Sequence, residues 1–74
     1  MAHWFIDPFG NGADLDVVRV IRTFDGSGES DGYYCISLLV IESGSHPYDV
    51  ILMYTQKETR DLIARQIYER LSNL

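Results

Sequence analysis

The side chains with the widest chemical repertoire in this sequence are one cysteine and two histidines. Cys35 is the sole thiol, and the histidines are His3 and His46. A nucleophilic thiol needs a base within hydrogen-bond reach. If Cys35 lies in a strand and His46 in the turn that follows it, more than about 20 Å separates them, at about 3.3 Å per residue. The sequence leaves His3 open as a partner, but a small, half-buried strand residue is the simpler interpretation of Cys35. We therefore predict no catalytic residue.

The same inventory gives no metal or cofactor site. A zinc site needs about four ligands at short spacings, which one cysteine and two scattered histidines do not supply. Oxygen-bearing side chains stand at every second position of a Gly-rich loop, at Asp25, Ser27, Glu29 and Asp31, a superficial likeness to a calcium loop. Counted from the first aspartate, the glycine and glutamate that an EF-hand needs fall on Ser30 and Ile36. We predict a solvated hairpin loop and no cofactor, and the sequence leaves open whether this loop binds an ion.

Length and composition limit the class of protein. The 74 residues suit one domain, and 46% of them are hydrophobic, which is too many for a disordered chain. No run of about 18 apolar residues is present, and the first residues lack the basic and apolar pattern of a secretory signal. One cysteine cannot form a disulfide within the chain. We therefore expect a cytoplasmic protein with no membrane partner.

The arrangement of turn residues and apolar runs predicts an α+β domain. Segments rich in Gly, Pro, Ser and Asp at 7–12, 25–32 and 43–47 separate β-branched and aromatic runs. The last twenty residues change to helical spacing, with a capping-box pattern at 55–58. The predicted fold is an antiparallel three- to four-stranded meander with one C-terminal helix packed on one face. The single domain 1–74 divides into an N-terminal strand and turn (1–12), the meander (15–54) and the helix (56–72).

A trial register sorts the strand residues into two faces. Placing Phe24 opposite Tyr33, and Glu42 opposite Tyr48, makes successive side chains alternate between the faces. We expect the helix on the first face, which carries Val17, Arg19, Ile21, Tyr34, Ile36, Leu38, Val40, Val50, Leu52 and Tyr54. The second face carries Val18, Val20, Phe24, Tyr33, Leu39, Ile41, Ile51 and Met53, interspersed with Arg22, Cys35 and Ser37.

The second face is too apolar for an ordinary solvent-facing surface, because a sheet with one wet face normally alternates apolar and polar residues. The sequence allows two ways to bury this second face. The N-terminal segment, with Trp4, Phe5 and Phe9, could fold across it, or another chain could bind it. We favour another chain, with a second copy of this one as the first expectation. The eight apolar residues from Val18 to Met53 are therefore the predicted interface.

The charges point to a protein partner. Residues 1–56 hold eight acidic side chains against two arginines, and residues 57–74 hold four basic against three acidic. The helix is therefore not a basic recognition helix, and this argues against nucleic acid as the binding partner. The acidic loop with Asp25, Glu29 and Asp31 is predicted to meet a partner with a basic surface.

Three classes of function follow. The favoured one is a non-enzymatic, homodimeric protein-interaction module. A particular form is a small phage or mobile-element inhibitor that blocks a nucleic-acid enzyme by binding its basic groove. A nucleic-acid-binding domain that uses the helix or the sheet aromatics is a further alternative. A small enzyme or metal-binding protein built on Cys35 or the acidic loop has the least support.

Overall fold

The computed structural model describes residues 3–73, and within them it shows two antiparallel sheets and a C-terminal helix. The elements are β1 Trp4–Ile6, β2 Gly12–Asp14, β3 Val18–Asp25, β4 Tyr34–Val40, β5 Tyr48–Tyr54 and α1 Lys57–Ser72. β1 and β2 form a separate hairpin, and β3, β4 and β5 form a three-stranded meander in that order. The α+β class and the C-terminal helix are confirmed. The predicted meander is matched in part, because the N-terminal strand pairs with β2 and not with the larger sheet.

The β1–β2 hairpin is closed by its own aspartate. The Asp7 carboxylate accepts hydrogen bonds from the amides of Phe9 at 2.9 Å and Asn11 at 2.8 Å. Gly10 sits between them at a φ of 88°, a backbone conformation that glycine adopts at little cost. The turn predicted at 7–12 therefore has a specific side-chain cause.

The first long strand begins later than predicted. Residues Leu15–Val17 form a short 3₁₀ turn, because the Asp14 side chain accepts from the Asp16 amide at 3.0 Å and caps it. β3 therefore starts at Val18 and not at Leu15.

The register of the meander differs from the trial register by two residues in each hairpin. Phe24 pairs with Cys35, not Tyr33, and Tyr48 pairs with Val40, not Glu42. A shift by an even number of residues leaves every side chain on the same face, whereas a shift by one would reverse them all. Most of the face assignments therefore survive a wrong register.

A β-bulge in β3 breaks the alternation once. Val18 pairs with Val40, and Val20 pairs with Leu39, so Arg19 is an extra residue without a partner. Val18 consequently turns to the core, where it is 5% exposed. Arg19, expected on the helix side, is exposed. The placement of Val18 on the second face was wrong for this reason.

The core lies between one face of the meander and the two elements that cover it, α1 and the β1–β2 hairpin. The helix contributes Ile63, Ala64 and Ile67, while Leu62 is 53% exposed on its outer side. The helix begins without a side-chain cap on Gln56, so the capping box at 55–58 is not formed. Packing of its apolar stripe, more than local capping, stabilises the helix. The sheet and hairpin contribute Phe5, Ala13, Leu15, Val18, Ile21, Ile36, Leu38, Val40, Leu52 and Tyr54.

A buried arginine joins the start of the helix to the sheet. Arg60 is 5% exposed, and its Nη1 donates to the Phe24 carbonyl at 3.0 Å and to the Cys35 carbonyl at 3.5 Å. Its guanidinium also lies 5.6 Å from the centre of the Tyr34 ring. These contacts fix α1 across the ends of β3 and β4, on the first face of the sheet.

Candidate functional site

The N-terminal segment covers the first face of the meander and not the second. Phe5 belongs to the core cluster, and Trp4 lines a groove together with Val40 and Val50 of that face. The Phe9 ring lies 5.9 Å from the Tyr54 ring. For residues 3–12, the alternative in which this segment folds across the second face was wrong.

The second face is consequently open. Three cross-strand rows make it up, and we call these nine residues the open face: Val20–Leu39–Asp49, Arg22–Ser37–Ile51 and Phe24–Cys35–Met53. The side chains on the two outer strands are the exposed ones. Val20, Phe24, Ile51 and Met53 are 40% to 48% exposed, and Leu39 is half-buried. Cys35 and Ser37 are buried because they lie on the central strand between these neighbours.

The structure brings most of the predicted interface residues together. Val20, Phe24, Leu39, Ile51 and Met53 share the open face. Tyr33 and Ile41 stand just beyond the two ends of β4, 40% and 39% exposed. Val18 does not belong to the face, because the bulge turns it into the core.

The open face also carries one charge of each sign, on opposite edges. Arg22 lies on β3 and is exposed, and no hydrogen bond or ion pair within residues 3–73 involves its guanidinium. Asp49 lies on β5 and accepts a hydrogen bond from the Ser37 hydroxyl at 3.2 Å. Sequence reasoning placed Arg22 here but missed Asp49, although its position two residues before Ile51 was the available signal.

The acidic loop forms a separate feature at the β3–β4 end of the meander. Asp25, Glu29 and Asp31 are exposed, and Asp25 lies 3.5 Å from the Arg60 Nη1. No group of three or more His, Cys, Asp or Glu side chains suited to a metal occurs among residues 3–73. The half-buried Asp16 and the exposed Glu42 adjoin the opposite ends of β3 and β4, so the negative charge is divided between two ends.

The histidines and the thiol are not brought together. Cys35 is fully buried between its cross-strand neighbours on the open-face side. His3 belongs to the hairpin side of the molecule, where its Nδ1 lies 2.7 Å from Asp16. His46 is exposed in the turn between β4 and β5. The described arrangement offers Cys35 no imidazole base.

The buried acid Asp7 is part of the fold. It is 4% exposed, and the Tyr54 hydroxyl donates to its Oδ2 at 2.5 Å. Burial alone would raise the pKa of this carboxyl, but hydrogen bonds from Tyr54, Asn11 and Phe9 outweigh it and hold the pKa below its usual value. Burial, and then the hydrogen bond to Asp7, raise the pKa of Tyr54 above its usual range. This pair joins the hairpin turn to β5.

Comparison with known proteins adds no family. No protein-family model matches the chain, and neither the curated proteins nor the solved structures gave a match. Within residues 3–73, no helix combines the length and the apolar character needed to cross a bilayer.

Proposed function

We propose that this chain is a small, non-enzymatic protein-interaction module that forms a homodimer through the open face. The observation that carries the proposal is the set of apolar side chains left exposed there. Both covering elements, α1 and the β1–β2 hairpin, occupy the first face. Contiguous apolar surface on a small soluble domain is typical of an interaction site. Burying it contributes about 25 cal/mol for each Å² removed from water.

The size of the open face predicts a reversible dimer. Three strands about 4.8 Å apart and seven residues long, at about 3.3 Å each, span a flat area of about 330 Å². A standard interface buries about 800 Å² of accessible surface on each partner. Side-chain relief and the flanking Tyr33 and Ile41 enlarge the contact but leave it small. We therefore expect association that depends on protein concentration.

The proposal is tested by the solution mass of the wild type and of Leu39→Asp, from size-exclusion chromatography with light scattering. The wild type should approach twice the 8.5 kDa chain mass at high concentration. Leu39→Asp should return it to a monomer, because the interface would have to bury an unpaired charge. Leu39 pairs with Asp49, so the new carboxylate also meets a like charge within the chain.

A second variant separates loss of association from loss of fold. Met53 is 48% exposed in the monomer, so Met53→Lys should fold normally and still prevent dimer formation. Leu62→Asp, on the exposed side of α1, is the matched control and should remain dimeric. Circular dichroism should be unchanged in the Met53 and Leu62 variants. A wild type that is monomeric at every concentration would contradict the proposal. So would a dimer that persists in both Leu39→Asp and Met53→Lys.

The second candidate is the inhibitor that binds a basic groove. Its support is the exposed loop with Asp25, Glu29 and Asp31 together with the net charge of -5. Because the acids are divided between two ends of the sheet, this loop alone would have to enter the groove. Titration with oligolysine tests the loop, and the triple variant Asp25→Asn, Glu29→Gln, Asp31→Asn should lose most of the binding. Equal binding by the triple variant would remove this candidate.

A further inference from the structure

The unmatched charges on the open face specify how two copies pack. We propose that β3 of one protomer lies over β5 of its partner, so that each Arg22 pairs with the partner's Asp49. This inference rests on the proposed homodimer and adds its orientation. The starting observation is that the Arg22 guanidinium has no ionic or hydrogen-bond partner within residues 3–73, while Asp49 stands on the opposite edge of the same face.

Symmetry limits the arrangements to two main choices. A face-to-face homodimer has a two-fold axis that lies between the two sheets. If the axis runs across the strands, each strand faces its own copy, and like charges lie on the same edge. If the axis runs along the strands, β3 faces the partner's β5 and β4 faces itself. Only the second choice brings Arg22 and Asp49 from different protomers together.

The distances suit this pairing. Arg22 lies in the row of Ile51, and Asp49 lies two residues before Ile51 in β5, an offset of about 7 Å along the strand. Packed sheets are separated by about 10 Å, and the long arginine side chain can cover the offset. The Ser37 hydroxyl donates a hydrogen bond to the Asp49 carboxylate at 3.2 Å and holds it on the open face. Less side-chain entropy of Asp49 is therefore lost when the dimer forms.

The apolar residues match in the same orientation. Phe24 and Met53 belong to one cross-strand row, so Phe24 of each protomer would meet the partner's Met53. Sulfur beside an aromatic ring is a favourable contact. Leu39, on the central strand, would meet its own copy at the axis. A single two-fold rotation therefore pairs opposite charges with each other and apolar side chains with each other.

Charge exchange tests the orientation. Arg22→Asp and Asp49→Arg should each raise the dimer dissociation constant about a hundredfold, because each substitution places like charges together at two symmetric positions. The double variant Arg22→Asp/Asp49→Arg restores unlike pairs and should return to within about tenfold of the wild type. Sedimentation equilibrium measures all four proteins, with circular dichroism to confirm their fold.

Two controls carry the same charge changes elsewhere. Arg65→Asp, on exposed helix surface, and Glu29→Arg, in the acidic loop, should leave the dissociation constant close to the wild type. If the single variants at 22 and 49 also leave it unchanged while Met53→Lys dissociates the dimer, the orientation is wrong and the open-face interface stands. If the double variant is no better than the singles, the reciprocal pairing is wrong. A monomeric wild type would overturn both the orientation and the proposed function.

Discussion

Asp7 shows how one residue decides where a whole segment lies. A buried carboxylate is costly unless hydrogen bonds compensate it, and Asp7 receives them from the Phe9 and Asn11 amides, the Asn11 side chain and the Tyr54 hydroxyl. Three of these come from its own turn. The fourth comes from β5, 47 residues away, and it is the bond that joins the hairpin to the first face.

We expect Tyr54→Phe to lower the free energy of unfolding by about 1–3 kcal/mol at pH 7, because the Asp7 carboxylate loses a buried donor. Urea denaturation measures the change. Tyr48→Phe is the matched control, since Tyr48 is 46% exposed, and it should have almost no effect. Equal losses in both variants would show that the hydroxyl bond to Asp7 has no special weight.

The lowered pKa of Asp7 also sets a pH dependence. Its contribution to stability is complete above the unfolded-state pKa, about 4, and is lost as pH falls through the lower folded-state value. Asp7→Asn should therefore be less stable than the wild type at pH 7, and the difference should shrink as pH falls from about 5 towards 2. Urea denaturation across that range gives the two curves. A difference that stays constant would contradict the lowered pKa.

The elements could be predicted from local pattern where neighbours in sequence decide the structure. The C-terminal helix, expected at 56–72, runs over Lys57–Ser72, and the turns fall where Gly, Pro and Asp cluster. The bulge could not be seen, because a Val-Val-Arg-Val run suits an uninterrupted strand equally well. The position of the N-terminal hairpin also could not be predicted from local pattern, because it depends on contacts with β5, such as that between Asp7 and Tyr54. Among the predicted interface residues, the unseen bulge affected Val18, whereas Asp49 could have been placed from its spacing to Ile51.

Because of the bulge, Val18 and Val20 in β3 lie on opposite faces of the sheet, so we expect their substitution to have different effects. Val18→Asp should destabilise the fold by several kcal/mol, since it places an unpaired carboxylate among core residues. Val20→Asp, on the open face, should keep the stability of the monomer and weaken the dimer. Thermal unfolding and solution mass, measured on both variants, test the pair. Similar stabilities in the two variants would mean that β3 alternates without a break, because Val18 and Val20 would then lie on the same face.

At the scale of the whole molecule, the proposed self-association would compensate for a small core. A domain of about 60–70 residues buries only about 60% of the surface that its unfolded chain exposes, so its stability is marginal. The first face already has its two covering elements, and the apolar side chains of the open face remain exposed. A second copy would bury them and add stability that grows with the logarithm of protein concentration above the dissociation constant.

The midpoint of thermal unfolding should therefore rise with protein concentration, by about 3–5 °C for each tenfold increase above the dimer dissociation constant. Scanning calorimetry over two decades of concentration measures this slope. Met53→Lys should show a flat line, and Leu62→Asp should follow the wild type. A flat line for the wild type would mean that association adds nothing to the stability of the fold.

The burial of Cys35 on the central strand of the open face has a practical consequence. A thiol reagent has one target in this chain, and Phe24 and Met53 stand on either side of it. A buried thiol reacts only when the structure around it opens, so the labelling rate of Cys35 measures how often the side chains around it separate. The rate of Cys35 labelling therefore reports local opening of the open face, and we expect it to fall when a second copy covers that face.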